Sequence, residues 1–184
     1  MRKLIHLISL YIVLCVVNAC HAVSQPEQLN NLFAELQHAE SPSQASEIEQ
    51  KIRDLWYQGP NDKAHEQMVA GIHAMEQGDL DRALSLYNDL IRHEPNFAEA
   101  WNKRATIYWL LGDIPESLAD IDKTIELEPR HFGALSGLGM ILIQQNQYLP
   151  ALNVYQQLLA INPQSESNQK NLQLIKQILR EQMI

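Results

Sequence analysis

Few side chains in this 184-residue chain stand at spacings that could do chemistry. Cys15 and Cys20 are its only cysteines, and two thiols build neither a disulfide framework nor a four-ligand zinc site. His65 and His73 lie eight residues apart on one predicted helix, with Glu66 nearby. Two turns is too far for one metal ion, so surface histidines are expected. His93-Glu94 and Arg130-His131 sit at predicted helix ends, where they are expected to cap carbonyls. Glu116, Asp120 and Asp122 gather on one predicted helix and are expected to form a solvated acidic face. No phosphate-binding loop, nucleophile elbow or paired-histidine metal motif occurs. The chain is therefore read as not an enzyme, with no catalytic residue, no metal and no cofactor.

The elements that must position any site follow a period of 34 residues. Pro95, Pro129 and Pro163 are spaced by it, as are Tyr87, Ile121 and Tyr155, and Ala83, Ser117 and Ala151. So are Gly78, Gly112 and Asn146, and Gly71, Ala105 and Gly139. Five columns in register across three copies mark a repeat architecture. Gly71, Ala105 and Gly139 fall mid-helix, where small side chains let a neighbouring helix approach. Gly78, Gly112 and Asn146 fall between helical patterns, where a residue tolerating positive φ can end the first helix. Pro115 and Pro150 open the second helix, and the prolines at 95, 129 and 163 stop the pair.

At these columns the chain resembles the tetratricopeptide repeat family, in which each copy is two antiparallel helices. The resemblance covers 64–97, 98–131 and 132–165. It implies an all-α fold, an α-solenoid of antiparallel helix pairs. One column departs from the family: Leu90, Thr124 and Leu158 stand where Ala is usual, which implies looser or shifted packing. Such arrays need atypical ends. The segment 27–57, with Leu29, Leu32, Phe33 and Leu36 and then Ala45, Ile48, Ile52, Leu55 and Trp56 at helical spacing, reads as a degenerate N-terminal helix pair broken at Ser41-Pro42-Ser43. Gly59-Pro60-Asn61-Asp62 is then a hinge or turn. Residues 166–184 read as a C-terminal capping helix whose stripe is Leu172, Ile175, Ile178 and Leu179. Ala100-Trp101-Asn102-Lys103-Arg104-Ala105-Thr106 and the stretch from Leu127 to Leu135 are similar to small exported bacterial members of undefined function.

The resemblance implies a concave groove that holds a peptide, lined by the first helices of successive copies. In the 34-residue register the groove columns are Met68, Ile72 and Met75, with His65, in the first copy. Asn102, Lys103, Thr106 and Trp109, with Glu99, come from the second, and Ser136, Met140 and Ile143, with Gly133 and Gly137, from the third. Some members grip a C-terminal carboxylate at five columns. Here these read Met68, Ile72, Lys103, Gly133 and Gly137, so that clamp is absent. The apolar character suits a helix or extended segment. An open partner site and a groove filled by the chain's own N-terminal pair or C-terminal helix are equally compatible with the sequence. Trp101 and Tyr108 match packing columns, and Trp109 is the better contact candidate.

The first residues carry an address. Arg2 and Lys3 precede a mostly apolar run from Leu4 to Val17, with small residues at Ala19 and Ala22, the pattern of a secretory signal. The run is shorter than a membrane span of about 20 residues. Cleavage after Ala22, making 1–22 the signal, releases a soluble periplasmic product. Val17-Asn18-Ala19-Cys20 alternatively resembles a bacterial lipobox, which would remove 1–19 and leave an outer-membrane lipoprotein anchored through Cys20. Release is preferred because Asn18 is an unusual neighbour in that motif. Loss of Arg2 and Lys3 leaves 12 cations against 22 acids, a net charge of −10, which disfavours nucleic acid as a partner. The expectation is a non-catalytic protein-interaction module of the bacterial cell envelope, taking a protein or peptide and touching membrane only if Cys20 is lipidated. The alternative is a lipid-anchored assembly factor resembling pilotins or hydrolase scaffolds. Partner identity and oligomeric state are not encoded in any motif.

Overall fold

The computed structural model describes residues 24–182. The segment expected to be a signal, the cleavage expected after Ala22 and Cys20 lie outside them. The described residues form helices joined by short turns: α1 (Gln25–Gln37), α2 (Pro42–Gln58), α3 (Asp62–Glu76), α4 (Leu80–His93), α5 (Ala98–Leu111), α6 (Ile114–Leu127), α7 (Phe132–Gln144), α8 (Tyr148–Ile161) and α9 (Glu166–Glu181). None of these helices is long and apolar enough to cross a membrane. The fold is an all-α solenoid. α3 packs on α4, α5 on α6 and α7 on α8, and each pair packs on the next, with α9 closing the row against α8.

The helix boundaries have local causes. Ser41 Oγ accepts from the Gln44 amide, and Pro42 opens α2 behind it. Asn61 caps α3 through Ala64, and Asp79 caps α4 through Arg82. Each side-chain oxygen satisfies one of the amides a helix start leaves unpaired. Within each repeat the first helix ends identically. Gly78, Gly112 and Asn146 take φ of +75°, +80° and +58°, and the amides of Asp79, Asp113 and Gln147 reach back to the carbonyls of Ala74, Tyr108 and Leu142. These are the closures of the Schellman motif, which glycine or asparagine permits. The second helices stop at His93, Leu127 and Ile161, two residues before each repeat proline.

Size complementarity explains the mid-helix column. A Cβ on Gly71 would stand 2.5 Å from Tyr87 Cζ, and one on Gly139 would stand 2.9 Å from Tyr155 Cε2. In the middle copy the same columns hold Ala105 and Ile121, both buried in one cluster. A glycine thus accompanies each tyrosine, and an alanine accompanies the smaller isoleucine. The expected looseness at Leu90, Thr124 and Leu158 does not occur, because all three are buried to within 1%. Thr124 satisfies its hydroxyl on the Asp120 carbonyl.

The degenerate pair does more than cap. α1 and α2 build their own core from Phe33, Leu36, Ile48, Ile52 and Trp56, and Phe132 and Ile161 of the array pack against it. α1 reaches α8 and α2 reaches α5, so the N-terminal pair folds back onto later repeats.

Candidate ligand-binding groove

The residues singled out from the sequence divide into three groups. Met68 is fully buried in the core beside Tyr87 and Leu90, and Ile72 and Met75 pack half-buried on the same cluster. The first copy therefore presents no open row, because its first helix turns these side chains into the contact with α4. Ile143 is likewise half-buried, against the α7–α8 core. Asn102, Thr106, Trp109, Ser136 and Met140 do come together. They line one depression of about 230 Å³ between α5 and α7, floored by Ala105 and Ile121. Trp109 is 39% exposed and Met140 49%. Both stand one helix turn beyond a small or polar residue, Thr106 and Ser136, which leaves the mouth open between them.

Lys103 belongs to a different, polar end. Its Nζ donates to Tyr57 Oη at 3.1 Å and pairs with Glu99 Oε1 at 3.3 Å. Glu99 is buried, as is His131, whose Nε2 lies 2.7 Å from Glu99 Oε2. Asn102 Nδ2 donates to the same oxygen at 3.1 Å. Burial alone would push the Glu99 carboxyl up. The hydrogen bond from His131, aided by the charge and hydrogen bond of Lys103, outweighs it and holds Glu99 below the usual carboxylate range. Burial would lower the Lys103 ammonium, but the charges of Glu99 and Tyr57 raise it above its ordinary value. Over this network lies Trp56 of α2, its ring stacked on His131 at 4.1 Å and 9°. A second cavity of about 320 Å³ separates α2 from α5, α7 and the start of α9. Its lining includes Glu49, Arg53, Lys103, Ser136 and Asn168. The groove is thus covered by the N-terminal pair at its polar end and open at its apolar end.

Two charge assignments from the sequence require correction. Asp120 is no part of a solvated acidic face. It is buried and receives Arg104 Nε and Nη2 at 2.7 Å each, while Arg104 Nη1 reaches Asn88 Oδ1 at 2.8 Å. Residue period alone could not distinguish a buried bidentate pair from an exposed acid. His131 caps no carbonyl. Its Nδ1 accepts from the Ala134 amide at the start of α7, and its other nitrogen faces Glu99. His93 does behave as expected, with Nδ1 2.8 Å from the Asp89 carbonyl. The Glu99–His131–Trp56 arrangement was missed. The one available signal was that position 131 shares its register with Ser165, the residue that caps α9. Among the described residues no group of three or more His, Cys, Asp or Glu could hold a metal ion.

A sequence profile described as tetratricopeptide repeat matches residues 68–126 and 111–166. A TPR repeat-containing protein of Rhizobium etli is 32% identical over 165 residues, covering 89% of this chain and 81% of that one. The Hsp70-Hsp90 organizing protein of Triticum aestivum is 28% identical over 142 residues. That match takes in 76% of this chain but only 24% of the organizing protein. Among solved structures, the first TPR domain of Spaghetti bound to an HSP90 peptide superposes with a TM-score of 0.60 at 22% identity, over 64% of this chain and 94% of that one. A MamA double mutant superposes at 0.57 with 28% identity, over 62% and 65%.

Proposed function

We propose, from the premise that the chain belongs to the tetratricopeptide repeat family, that it is a non-catalytic protein-interaction module which takes an apolar peptide or helix at the open end of its concave groove. The observation that carries this reading is the depression between Trp109 and Met140. Two large apolar side chains stay exposed there around a mouth rimmed by Asn102, Thr106 and Ser136. Apolar side chains grouped at one concavity mark an interaction site more often than scattered ones do. Asn102, Thr106 and Ser136 supply the few polar groups that fix orientation. The ligand end suited to a charged terminus is closed, since Lys103 is held by Glu99 and Tyr57. An internal apolar segment therefore fits better than a carboxylate tail. Spaghetti's first domain binding an HSP90 peptide supports peptide binding as a use of this fold.

The test is a peptide-display selection on the protein and on its Trp109→Glu/Met140→Glu variant. Apolar peptides should be enriched on the parent and lost on the variant with helicity intact. Equal enrichment on both would remove the groove assignment.

For its setting we propose export to the bacterial cell envelope, from the Arg2-Lys3 start, the Leu4–Val17 run and the small residues at Ala19 and Ala22. The Val17-Asn18-Ala19-Cys20 sequence favours a second reading, a lipid-anchored assembly factor. The mass of the mature protein separates them. A chain starting at Val23 supports the free module, and an acylated chain starting at Cys20 supports the anchored one.

A further inference from the structure

We infer that α2 is a resident ligand of the polar half of the groove, and that the partner able to replace it is an amphipathic helix presenting a cation, a tryptophan and a tyrosine at the spacing of Arg53, Trp56 and Tyr57. This rests on the concave-face reading above. Residues three and four apart share one helix face, and that face of α2 is the one turned to the array. Trp56 stacks on His131 at 4.1 Å and meets Phe132 at 4.9 Å. Arg53 lies 5.6 Å over the Phe132 ring, and Tyr57 receives Lys103 at its hydroxyl.

The chemistry of this contact differs from that between repeats. Repeat helices meet mainly through fully buried side chains such as Ala83, Tyr87, Leu90 and Leu158, with Arg104 as a polar exception. Beside the packing of Ile161, the N-terminal pair meets the array largely through rings, cations and amides. Arg130 lies 4.2 Å over Phe33, Asn162 Nδ2 donates to Glu49 at 2.7 Å, and Gln164 Nε2 donates to the Ala39 carbonyl at 3.0 Å. An aromatic and polar composition of this kind belongs to a docking interface.

The surface beneath is complete without α2. Glu99 takes its hydrogen bonds from His131, Asn102 and Lys103, all on the array. Lifting α2 takes the Tyr57 hydroxyl from Lys103 but leaves it paired with Glu99, so the carboxylate keeps its hydrogen bonds and what is exposed is a preorganised ring-and-cation site. Asn102 and Ser136 border both the open depression and the cavity under α2, so the two halves are neighbours in one groove. The turn at Gly59-Pro60 ties α2 to α3 at short range. Such a tether gives the resident helix an effective concentration in the millimolar range, which a free helix must overcome.

A labelled synthetic peptide of residues 42–58 tests this by anisotropy, titrated into the full chain and its Trp56→Ala variant. The variant should bind it saturably and at least tenfold more tightly than the parent. A peptide carrying Trp56→Ala should not bind, and Lys103→Glu added to the variant chain should weaken binding at least tenfold. Equal affinity of parent and variant, or undiminished binding of the tryptophan-free peptide, overturns the inference. So does dimerisation of the variant by light scattering with the peptide left free, since a second copy would then be the occupant. If Trp56→Ala costs helicity, amide hydrogen exchange of the parent decides. Exchange of α1 and α2 together, at least tenfold faster than α5 to α8, supports a docked element, and a common rate overturns it. The titration reads the polar half through Trp56 and Lys103 and the display selection reads the open half through Trp109 and Met140, so the two outcomes are separable.

Discussion

Replacing Gly71 by alanine sets two effects of known sign against each other. Alanine gains about 1 kcal/mol over glycine in a helix interior. The new Cβ, however, would stand 2.5 Å from Tyr87 Cζ and 2.7 Å from its hydroxyl oxygen. Tyr87 has no accessible surface and its hydroxyl lies 3.5 Å from the Met68 carbonyl, so the ring has nowhere to retreat. Overpacking of this kind costs about 1–3 kcal/mol, and the net change is a loss of about 1 kcal/mol. The middle repeat supplies the remedy, since it pairs Ala105 with Ile121. Tyr87→Ile alone leaves a void, whereas Tyr87→Ile with Gly71→Ala restores a combination the fold already uses. A double-mutant cycle by urea unfolding, followed by circular dichroism, should give a favourable coupling of about 1–2 kcal/mol. Additive single effects, or a Gly71→Ala protein more stable than the parent, would refute the size-complementarity argument.

The buried Arg104–Asp120 pair makes a second case. Arg104→Met leaves an uncompensated buried carboxylate and should cost about 3–5 kcal/mol in urea unfolding, most of it recovered by adding Asp120→Leu. Equal stability of the single and double variants would refute the uncompensated carboxylate as the cause of the loss. Glu99 governs a pH dependence. Its carboxyl is depressed in the folded chain, so its stabilisation is present above its ordinary value of about 4 and is lost as pH falls through the lower folded value. Glu99→Gln should flatten the fall in thermal midpoint below about pH 4, and an unchanged acid limb would refute the assignment.

The repeat was legible because its columns are local: a turn residue, a proline stop and a small residue opposite a large one recur every 34 positions. The groove was legible only in part. Register placed Thr106, Trp109, Ser136 and Met140 on one face, and the chain does bring them together. Register also placed Met68 there, but a column says nothing of how far the first helix pair rotates its side chains into α4. Filling of the groove by the N-terminal pair was one of two alternatives the sequence left open, but the contacts that make it lay beyond local reading. Trp56 and His131 are 75 positions apart and belong to no common pattern. Asp120 looked exposed because its partner, Arg104, sits 16 residues away on the facing helix.

The central claim, an open apolar half-groove that takes a peptide, is tested most directly by chemical-shift mapping of the protein with a display-selected peptide. The Trp109 indole, the Met140 methyl and the Thr106 and Ser136 amides should move together, with Tyr87 and Tyr155 of the core unmoved. Shifts confined to other surfaces of the repeats, with Trp109 and Met140 silent, would contradict it.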